Sequence, residues 1–113
     1  SLKKVQQELR DRYFDVRKNG NCFEVKTFLK KSITWKTQDI LTGPPGPLFD
    51  IIFLRNNLLT YYKDYVINRT LSNIIPALSP HGWLIVGSHE NLPAEMLNIM
   101  RQGSIPWVYR KEL

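Results

Sequence analysis

A run of β-branched and aromatic residues at Phe49-Asp50-Ile51-Ile52-Phe53-Leu54 most constrains how this chain can fold. The run is too short for a free-standing helix, and it is apolar almost throughout, as in a strand that is covered on both faces. A second apolar run, Trp83-Leu84-Ile85-Val86, follows after a segment with helical spacing. Two buried strands joined by a helix form a βαβ unit, so we expect a parallel pair at the centre of an α/β fold.

Polar residues follow both predicted strands. Arg55 and Asn56 come directly after the first, and Ser88 and Glu90 follow the second. Because parallel sheets bind ligands at the carboxyl ends of their strands, these four residues are the candidates for function. A structural role stays open for each of them: Arg55 and Asn56 could hold down a loop at the strand end, and we expect Glu90 to order its loop rather than act as an acid or base.

The chain has 113 residues, of which 42% are hydrophobic, and this favours one α/β unit over residues 1–113 with a packed core. No apolar run approaches the roughly 20 residues of a membrane span, so a cytoplasmic location is expected. The single cysteine, Cys22, has no neighbours at metal-ligand spacing, and we predict no metal site.

Positive charge is concentrated in the first third of the chain. Residues 1–36 contain ten Lys or Arg and four Asp or Glu, whereas residues 37–113 contain six of each kind. A solvated helix face with an exposed loop explains this distribution. A surface for an acidic protein or nucleic acid is the alternative, although nucleic acid is disfavoured because no RNA-stacking motif accompanies the charge.

Periodicity and turn residues predict the other elements. Pro76 should distort the last turn of the helix that joins the two strands, and Asp64 is the expected N-cap of that helix. Pro106 should confine the last strand to an edge or a strand start. The predicted elements are a helix over 2–14, a turn over 18–21, strands over 22–26 and 32–36, a loop over 42–47, the joining helix over 63–78, a turn over 79–82, a short helix from 93 to about 102 and a strand over 105–109.

Three motifs in register resemble the CheR family, the S-adenosylmethionine-dependent methyltransferases that esterify glutamates on chemotaxis receptors. The motifs are Phe49-Asp50-Ile51-Ile52-Phe53-Leu54-Arg55-Asn56, Leu78-Ser79-Pro80-His81-Gly82-Trp83-Leu84 and Gly87-Ser88-His89-Glu90-Asn91-Leu92. Segments 13–14, 23–25 and 33–41 are similar to what precedes the first of these strands in that family. The resemblance covers nearly all of the chain. The sequence contains no Gly-rich phosphate-binding loop.

The resemblance implies a partial class I methyltransferase (Rossmann-like) fold, with a mostly parallel sheet, flanking helices and the first strands of the sheet missing. It implies S-adenosylmethionine as cofactor and a protein substrate with chemoreceptor-like glutamates. It places adenine contacts at Asp39 and Ile40, and it places Arg55 and Asn56 near the methionine part of the cofactor or an incoming carboxylate. Arg55 is thereby the one catalytic candidate.

Two departures from the family pattern qualify what the resemblance implies. Thr60 stands where the family has a Tyr near the transferred methyl group, which puts ordinary receptor methylation in doubt. The missing strands would leave strand edges unpaired, so we expect the chain by itself to be inactive and to form a homodimer through those edges. The alternative function is a catalytically inactive module that binds an acidic protein or nucleic acid through its basic first third.

Overall fold

The computed structural model describes residues 4–17, 20, 22–43, 46 and 48–112. The contacts between residues divide the chain into two units, residues 1–37 and residues 38–113. Each unit is described by itself below.

The first unit contains a hairpin between two short helices. Helix α1 spans Gln7–Tyr13, strand β1 spans Phe14–Arg17, strand β2 spans Cys22–Val25 and helix α2 spans Thr27–Lys30. Strands β1 and β2 pair antiparallel, with Phe14 opposite Val25 and Arg17 opposite Cys22. The sequence predicted β2 but neither α2 nor β1. Strand β1 was missed because the helix gives way at Phe14 directly to extended backbone (φ −128°, ψ 144°). The predicted turn over 18–21 lies mostly outside the described residues.

The strand predicted over residues 32–36 is wrong. Residues 33–39 form no regular element, and the Trp35 side chain is 84% exposed. A strand needs a neighbour to pair its backbone groups, and an alternating pattern does not say whether such a neighbour is within reach.

The second unit is built on a four-stranded sheet with the order β3-β4-β6-β5. Strand β3 spans Phe49–Leu54, β4 spans Leu78–Val86, β5 spans Met100–Gln102 and β6 spans Val108–Lys111. Strands β3 and β4 are parallel neighbours, as the βαβ pattern predicted.

The prediction of a mostly parallel sheet is not confirmed. The β3–β4 pair is parallel, whereas β6 pairs antiparallel with both β4 and β5. The short connection between β5 and β6, over residues 103–107, accounts for their antiparallel pairing, because a parallel neighbour needs a long crossover and an antiparallel one needs only a turn.

The beginning of β4 is irregular where the sequence predicted a turn. Phe49 lies opposite Leu78 and Ile51 lies opposite Trp83, so the extra residues of β4 bulge out between these two positions. His81 adopts φ +60° within the bulge. A Cβ atom at Gly82 would lie 2.9 Å from the Ser79 carbonyl oxygen and 3.1 Å from that of Asp50, so only glycine fits there without a shift of the backbone.

Helix α4, which spans Asp64–Ile74, covers one face of the sheet. Its buried positions are Ile67, Thr70, Leu71 and Ile74, which recur at the predicted helical spacing. The N-cap is Lys63 rather than Asp64, which is instead the first helical residue and places its carboxylate in the first turn. The helix ends in a 3₁₀ turn, Ile75–Ala77, in agreement with the expected effect of Pro76.

The buried core of this unit joins α4 to the sheet. It contains apolar side chains from β3, α4, β4, β5 and β6, and a short helix α3, Leu58–Tyr61, contributes to it as well. The core side chains are Leu54, Leu58, Ile67, Leu71, Ile74, Ile75, Leu78, Leu84, Val86, Leu92, Met100 and Tyr109. The side chains that alternate with them on β3, including Ile51 and Phe53, are exposed. The expectation that this strand is covered on both faces is therefore wrong for the described residues, since no element packs on its other face.

The predicted helix from residue 93 to about 102 is wrong beyond its first turn. A 3₁₀ turn covers Ala94–Met96, and Met100–Gln102 form strand β5, in which Met100 is fully buried. Strand β6 begins at Val108, after Pro106, and lies inside the sheet rather than at its edge. Within the described ranges, no helix combines the length and apolar character that crossing a bilayer requires.

Candidate functional site

The carboxyl ends of β3 and β4 lie side by side. Leu54 is opposite Val86 at the end of the parallel pair, so the segments that follow both strands emerge at the same edge of the sheet. This is the arrangement that the sequence predicted for the candidate residues, except that β3 is the outermost strand of the described sheet rather than an inner one.

The Glu90 carboxylate connects these segments. Its Oε1 atom accepts a hydrogen bond from the Asn56 backbone N–H at 2.9 Å and another from the Gly87 backbone N–H at 2.7 Å. Its Oε2 atom accepts a hydrogen bond from the Thr60 hydroxyl at 2.5 Å. In addition, the Glu90 backbone N–H donates to the Gly87 carbonyl oxygen at 2.9 Å. One carboxylate thus holds together the end of β3, helix α3 and the end of β4.

Gly87 allows this close approach. A Cβ atom on residue 87 would collide with the Asn56 side-chain oxygen and would lie 2.6 Å from Glu90 Oε1. The glycine at this position is therefore required by the neighbouring Asn56 amide and Glu90 carboxylate.

The environment of Glu90 keeps its carboxyl group ionised. Burial raises the pKa of Glu90, but hydrogen bonds from Thr60, Asn56 and Gly87 and the positive charge of Arg55 outweigh burial, and the net pKa is lowered. The residue is 8% exposed, and its oxygens are occupied by donors. A group in this state is poorly suited to take up or release a proton at neutral pH, so its role is to order the loops, as the sequence analysis expected.

The structure brings Asn56 to Glu90 and leaves the Arg55 side chain exposed beside them. Asn56 adopts φ +53°, a left-handed conformation that Asn tolerates better than most residues, and this turns its backbone N–H toward the carboxylate. Arg55 makes no ion pair within the part of the chain that the structure describes. A guanidinium that is exposed at a strand end and has no carboxylate partner is available to an anionic ligand.

Asp39 and Ile40 lie in a turn ahead of β3. The Asp39 side chain accepts a hydrogen bond from the Leu41 backbone N–H at 3.0 Å, and the Asp39 carbonyl oxygen accepts one from the Thr42 hydroxyl at 3.0 Å. Ile40 is half-buried and packs against the core of the second unit. Neither residue takes part in the Glu90 hydrogen bonds.

Two residues of the site were not predicted. Thr60 was noted only as a departure from a family pattern, and Gly87 only as the end of a strand, yet both contact Glu90 directly. Thr60 and Glu90 are 30 residues apart in the chain, and no local periodicity links positions so distant. The only sequence feature that could have indicated the contact was the hydroxyl of Thr60, a short side chain that can donate a hydrogen bond.

A comparison with known protein families finds a match over residues 1–108. The matching family is described as CheR methyltransferase, SAM binding domain. The match includes the strand ends, Glu90 and both of its backbone donors.

Proposed function

The chain belongs to the CheR methyltransferase family, and we propose that its site serves methyl transfer to a glutamate carboxylate of a protein substrate. The cofactor of the family domain is S-adenosylmethionine, which supplies a methyl group already activated by a sulfonium. We propose both the glutamate acceptor and the residues that contact it.

One observation carries the proposal: the Arg55 side chain is exposed, while the nearby Glu90 carboxylate already accepts hydrogen bonds on both of its oxygens. Since the donors around Glu90 occupy its oxygens, the Arg55 guanidinium keeps its capacity for another carboxylate. The cofactor has a carboxylate on its methionine part and the acceptor has one at its reacting end. The chemistry of Arg55 and of the neighbouring Asn56 amide fits either group.

We assign the contacts as follows. Asp39 and Ile40 hold the adenine, with the carboxylate of Asp39 toward the amino group of the base and the half-buried Ile40 against the ring. Arg55 and Asn56 hold the methionine end or orient the acceptor carboxylate. A carboxylate is already a nucleophile at neutral pH, so the reaction needs no general base, and the chain contributes mainly by orienting the reactants in line.

We also propose that the outer edge of β3 needs a neighbouring strand for full function. This edge is unpaired among the described strands, and Ile51 and Phe53 beside it are 50% and 68% exposed. Exposed apolar edges pair with other strands, so the 113-residue chain should form a homodimer through β3 and should bind cofactor weakly. Sedimentation velocity tests this: a dimer that Phe53→Lys dissociates is expected, and a monomer at all concentrations would contradict it.

Calorimetry with S-adenosylhomocysteine tests the cofactor site. We expect weak binding by this chain and tight binding by a version extended upstream in the parent gene. In the extended version, Arg55→Gln and Asp39→Asn should each weaken binding by about tenfold, as expected for a lost charged hydrogen bond. Arg69→Gln is the matched control for Arg55→Gln, because Arg69 is exposed on α4 and its loss changes the net charge by the same amount. If neither chain binds, the proposal fails.

A transfer assay tests the acceptor. The extended protein is supplied with S-adenosylmethionine carrying a labelled methyl group and with peptides that contain Glu or, as control, Gln. Label in the Glu peptide that mild alkali releases as methanol identifies a carboxyl ester. Label that resists alkali would show another acceptor, and binding of an acidic protein without cofactor affinity would favour the interaction module instead.

A further inference from the structure

Three neighbouring strands of the second unit place one row of side chains on the same face of the sheet. Trp83 of β4 lies opposite Arg110 of β6, and Arg110 lies opposite Arg101 of β5. Side chains directly opposite each other in antiparallel strands have Cβ atoms about 4.5–5.5 Å apart and share a face. The row therefore brings two guanidinium groups and an indole ring together.

Arg110 is fixed in this row by two contacts. Its guanidinium lies over the Trp83 ring, 5.2 Å from the ring centroid, and its Nε–H donates to the His81 carbonyl oxygen at 3.3 Å. Stacking on an aromatic ring restricts the long side chain and leaves the outer N–H groups of the guanidinium free to donate. Arg110 is thus held in position before any ligand arrives.

The two arginines place positive charges side by side on neighbouring strands. Like charges directly opposite each other across a ladder are destabilising, and a bound anion would relieve this repulsion. In the described stretches of the chain, neither Arg101 nor Arg110 forms an ion pair. The pair is therefore an unneutralised double positive charge on an exposed part of the sheet.

The arginine row lines a cavity of about 400 Å³. This volume lies within the range of small-molecule sites. Trp83, Arg101 and Arg110 contribute to the wall, together with His81, Gln102 and Lys111. Glu112 also lines the cavity and is the one carboxylate among its lining residues. The cavity uses none of the residues that surround Glu90.

We propose that this cavity binds a phosphate monoester through Arg101 and Arg110. A phosphate monoester carries a charge of about −1.5 to −2 at neutral pH, which matches two guanidinium groups better than the single charge of a carboxylate does. Its oxygens accept paired hydrogen bonds from the planar guanidinium fork. Glu112 opposes the anion by repulsion and so limits the affinity.

Titration of the 113-residue chain with glycerol phosphate, followed by NMR, tests this proposal. The Trp83 indole N–H signal and the Nε–H signals of both arginines should shift together and saturate. Inorganic phosphate should produce the same shifts, and acetate should bind at least tenfold more weakly. Comparable binding of acetate and glycerol phosphate, or a response that does not saturate, would overturn the proposal.

Variants separate a built site from general positive charge. Arg101→Gln and Arg110→Gln should each weaken glycerol phosphate binding by about tenfold or more, and Glu112→Gln should strengthen it several-fold. Arg69→Gln removes the same charge from the exposed surface of α4 and should leave binding unchanged. An equal loss of affinity with Arg69→Gln would show that binding depends only on net charge, and this would refute the proposed site. If Arg110→Gln disturbs folding through its contact with His81, Arg101→Gln alone decides.

Discussion

Two glutamates, one in each unit of the molecule, show how different surroundings produce the same direction of pKa shift. In the first unit, the Lys30 ammonium, which donates a hydrogen bond to the Glu24 carboxylate at 2.9 Å, lowers the pKa of Glu24. The Arg17 guanidinium, which lies 2.8 Å from the same carboxylate, lowers it as well. In the second unit, the pKa of Glu90 is lowered although burial opposes the shift, because a hydroxyl and two backbone N–H groups donate to it.

The difference between the two lies in what happens when the carboxylate is lost. The partners of Glu24 are long, exposed side chains that water can solvate at once. The partners of Glu90 include the Asn56 and Gly87 backbone N–H groups, which cannot move away, and the Gly87 N–H is buried. An unsatisfied buried donor costs far more free energy than a broken surface ion pair. A lowered pKa alone therefore does not identify which glutamate stabilises the fold.

The largest expected effect is that of Glu90→Ala. It leaves the Asn56 and Gly87 N–H groups without their acceptor, and we expect the free energy of unfolding of the second unit to fall by about 3 kcal/mol. Urea denaturation followed by fluorescence in a Trp35→Phe background measures it, because the remaining tryptophans belong to the second unit. Glu90→Gln keeps an acceptor oxygen and should lose less. A loss no greater than that of Glu24→Ala would show that the buried donors around Glu90 stabilise the fold no more than the surface ion pairs of Glu24 do.

The next largest effect is that of Gly87→Ala. The added methyl group would collide with the Asn56 amide and the Glu90 carboxylate, and overpacking of this kind costs about 2 kcal/mol. Gly103→Ala is the matched control, because its Cβ would meet only the Val108 carbonyl oxygen at an ordinary 3.7 Å. The same denaturation experiment compares the two variants. Equal stability of the two variants would show that the segment after β4 shifts to accommodate the added methyl group at little cost in free energy.

Removal of one hydrogen bond from Glu90 should have a smaller effect. Thr60→Val deletes the hydroxyl that donates to Oε2 while keeping the shape of the side chain, and about 1 kcal/mol of stability should be lost. Thr60→Ser keeps a hydroxyl and should stay closer to the wild type. If Val and Ser lower the urea midpoint equally, packing at position 60 matters rather than the hydrogen bond.

Lowering the pH should reduce the stability that the Glu90 carboxylate contributes, by less than the substitutions above do. Because the pKa of Glu90 in the folded protein lies below its ordinary value of 4.5, its contribution to stability is fully present above pH 4.5 and is lost as the pH falls through the folded pKa. The difference in unfolding free energy between the wild type and Glu90→Gln should shrink over that interval. A difference that stays constant with pH would mean that the carboxylate charge is irrelevant.

The smallest effect belongs to Glu24→Gln. Its partners are exposed, so stability should change little, and any change should disappear in 1 M salt, where the screening length is about 3 Å. Urea denaturation at low and high salt measures it. A large effect that does not depend on salt would place Glu24 in the same class as Glu90.

The contrast between the units also explains which elements the sequence predicted. The apolar runs at Phe49 and Trp83 and the helical spacing from Ile67 to Ile74 persist in β3, β4 and α4. Strand β4 and helix α4 each bury several side chains, whereas β3 buries only Leu54 and is held by its parallel pairing with β4. Trp35 lies in an equally strand-like stretch but has no strand partner among the residues that the structure describes. Strand β5 was missed because Met100 is buried by contacts with β6 that no local pattern records.

The candidate site was predictable in position but not in its connections. The polar residues after β3 and β4 were expected at one edge of the sheet, since a parallel pair aligns its strand ends. Which donors reach Glu90 was not foreseeable, because Asn56 and Glu90 are 34 residues apart and meet only after the strands have paired. The roles of Arg55, Asp39 and Ile40 toward the cofactor remain predictions, and the calorimetry with Arg55→Gln and Asp39→Asn tests two of them.

The sequence by itself determined the βαβ unit, its polar strand ends and the resemblance to a methyltransferase family, because short-range periodicity and motif order are written along the chain. Only the tertiary structure decided the antiparallel half of the sheet, the hydrogen bonds of Glu90 and the arginine row over Trp83. These features depend on which distant segments become neighbours, and that choice depends on the free energy of packing the whole unit rather than on any one segment.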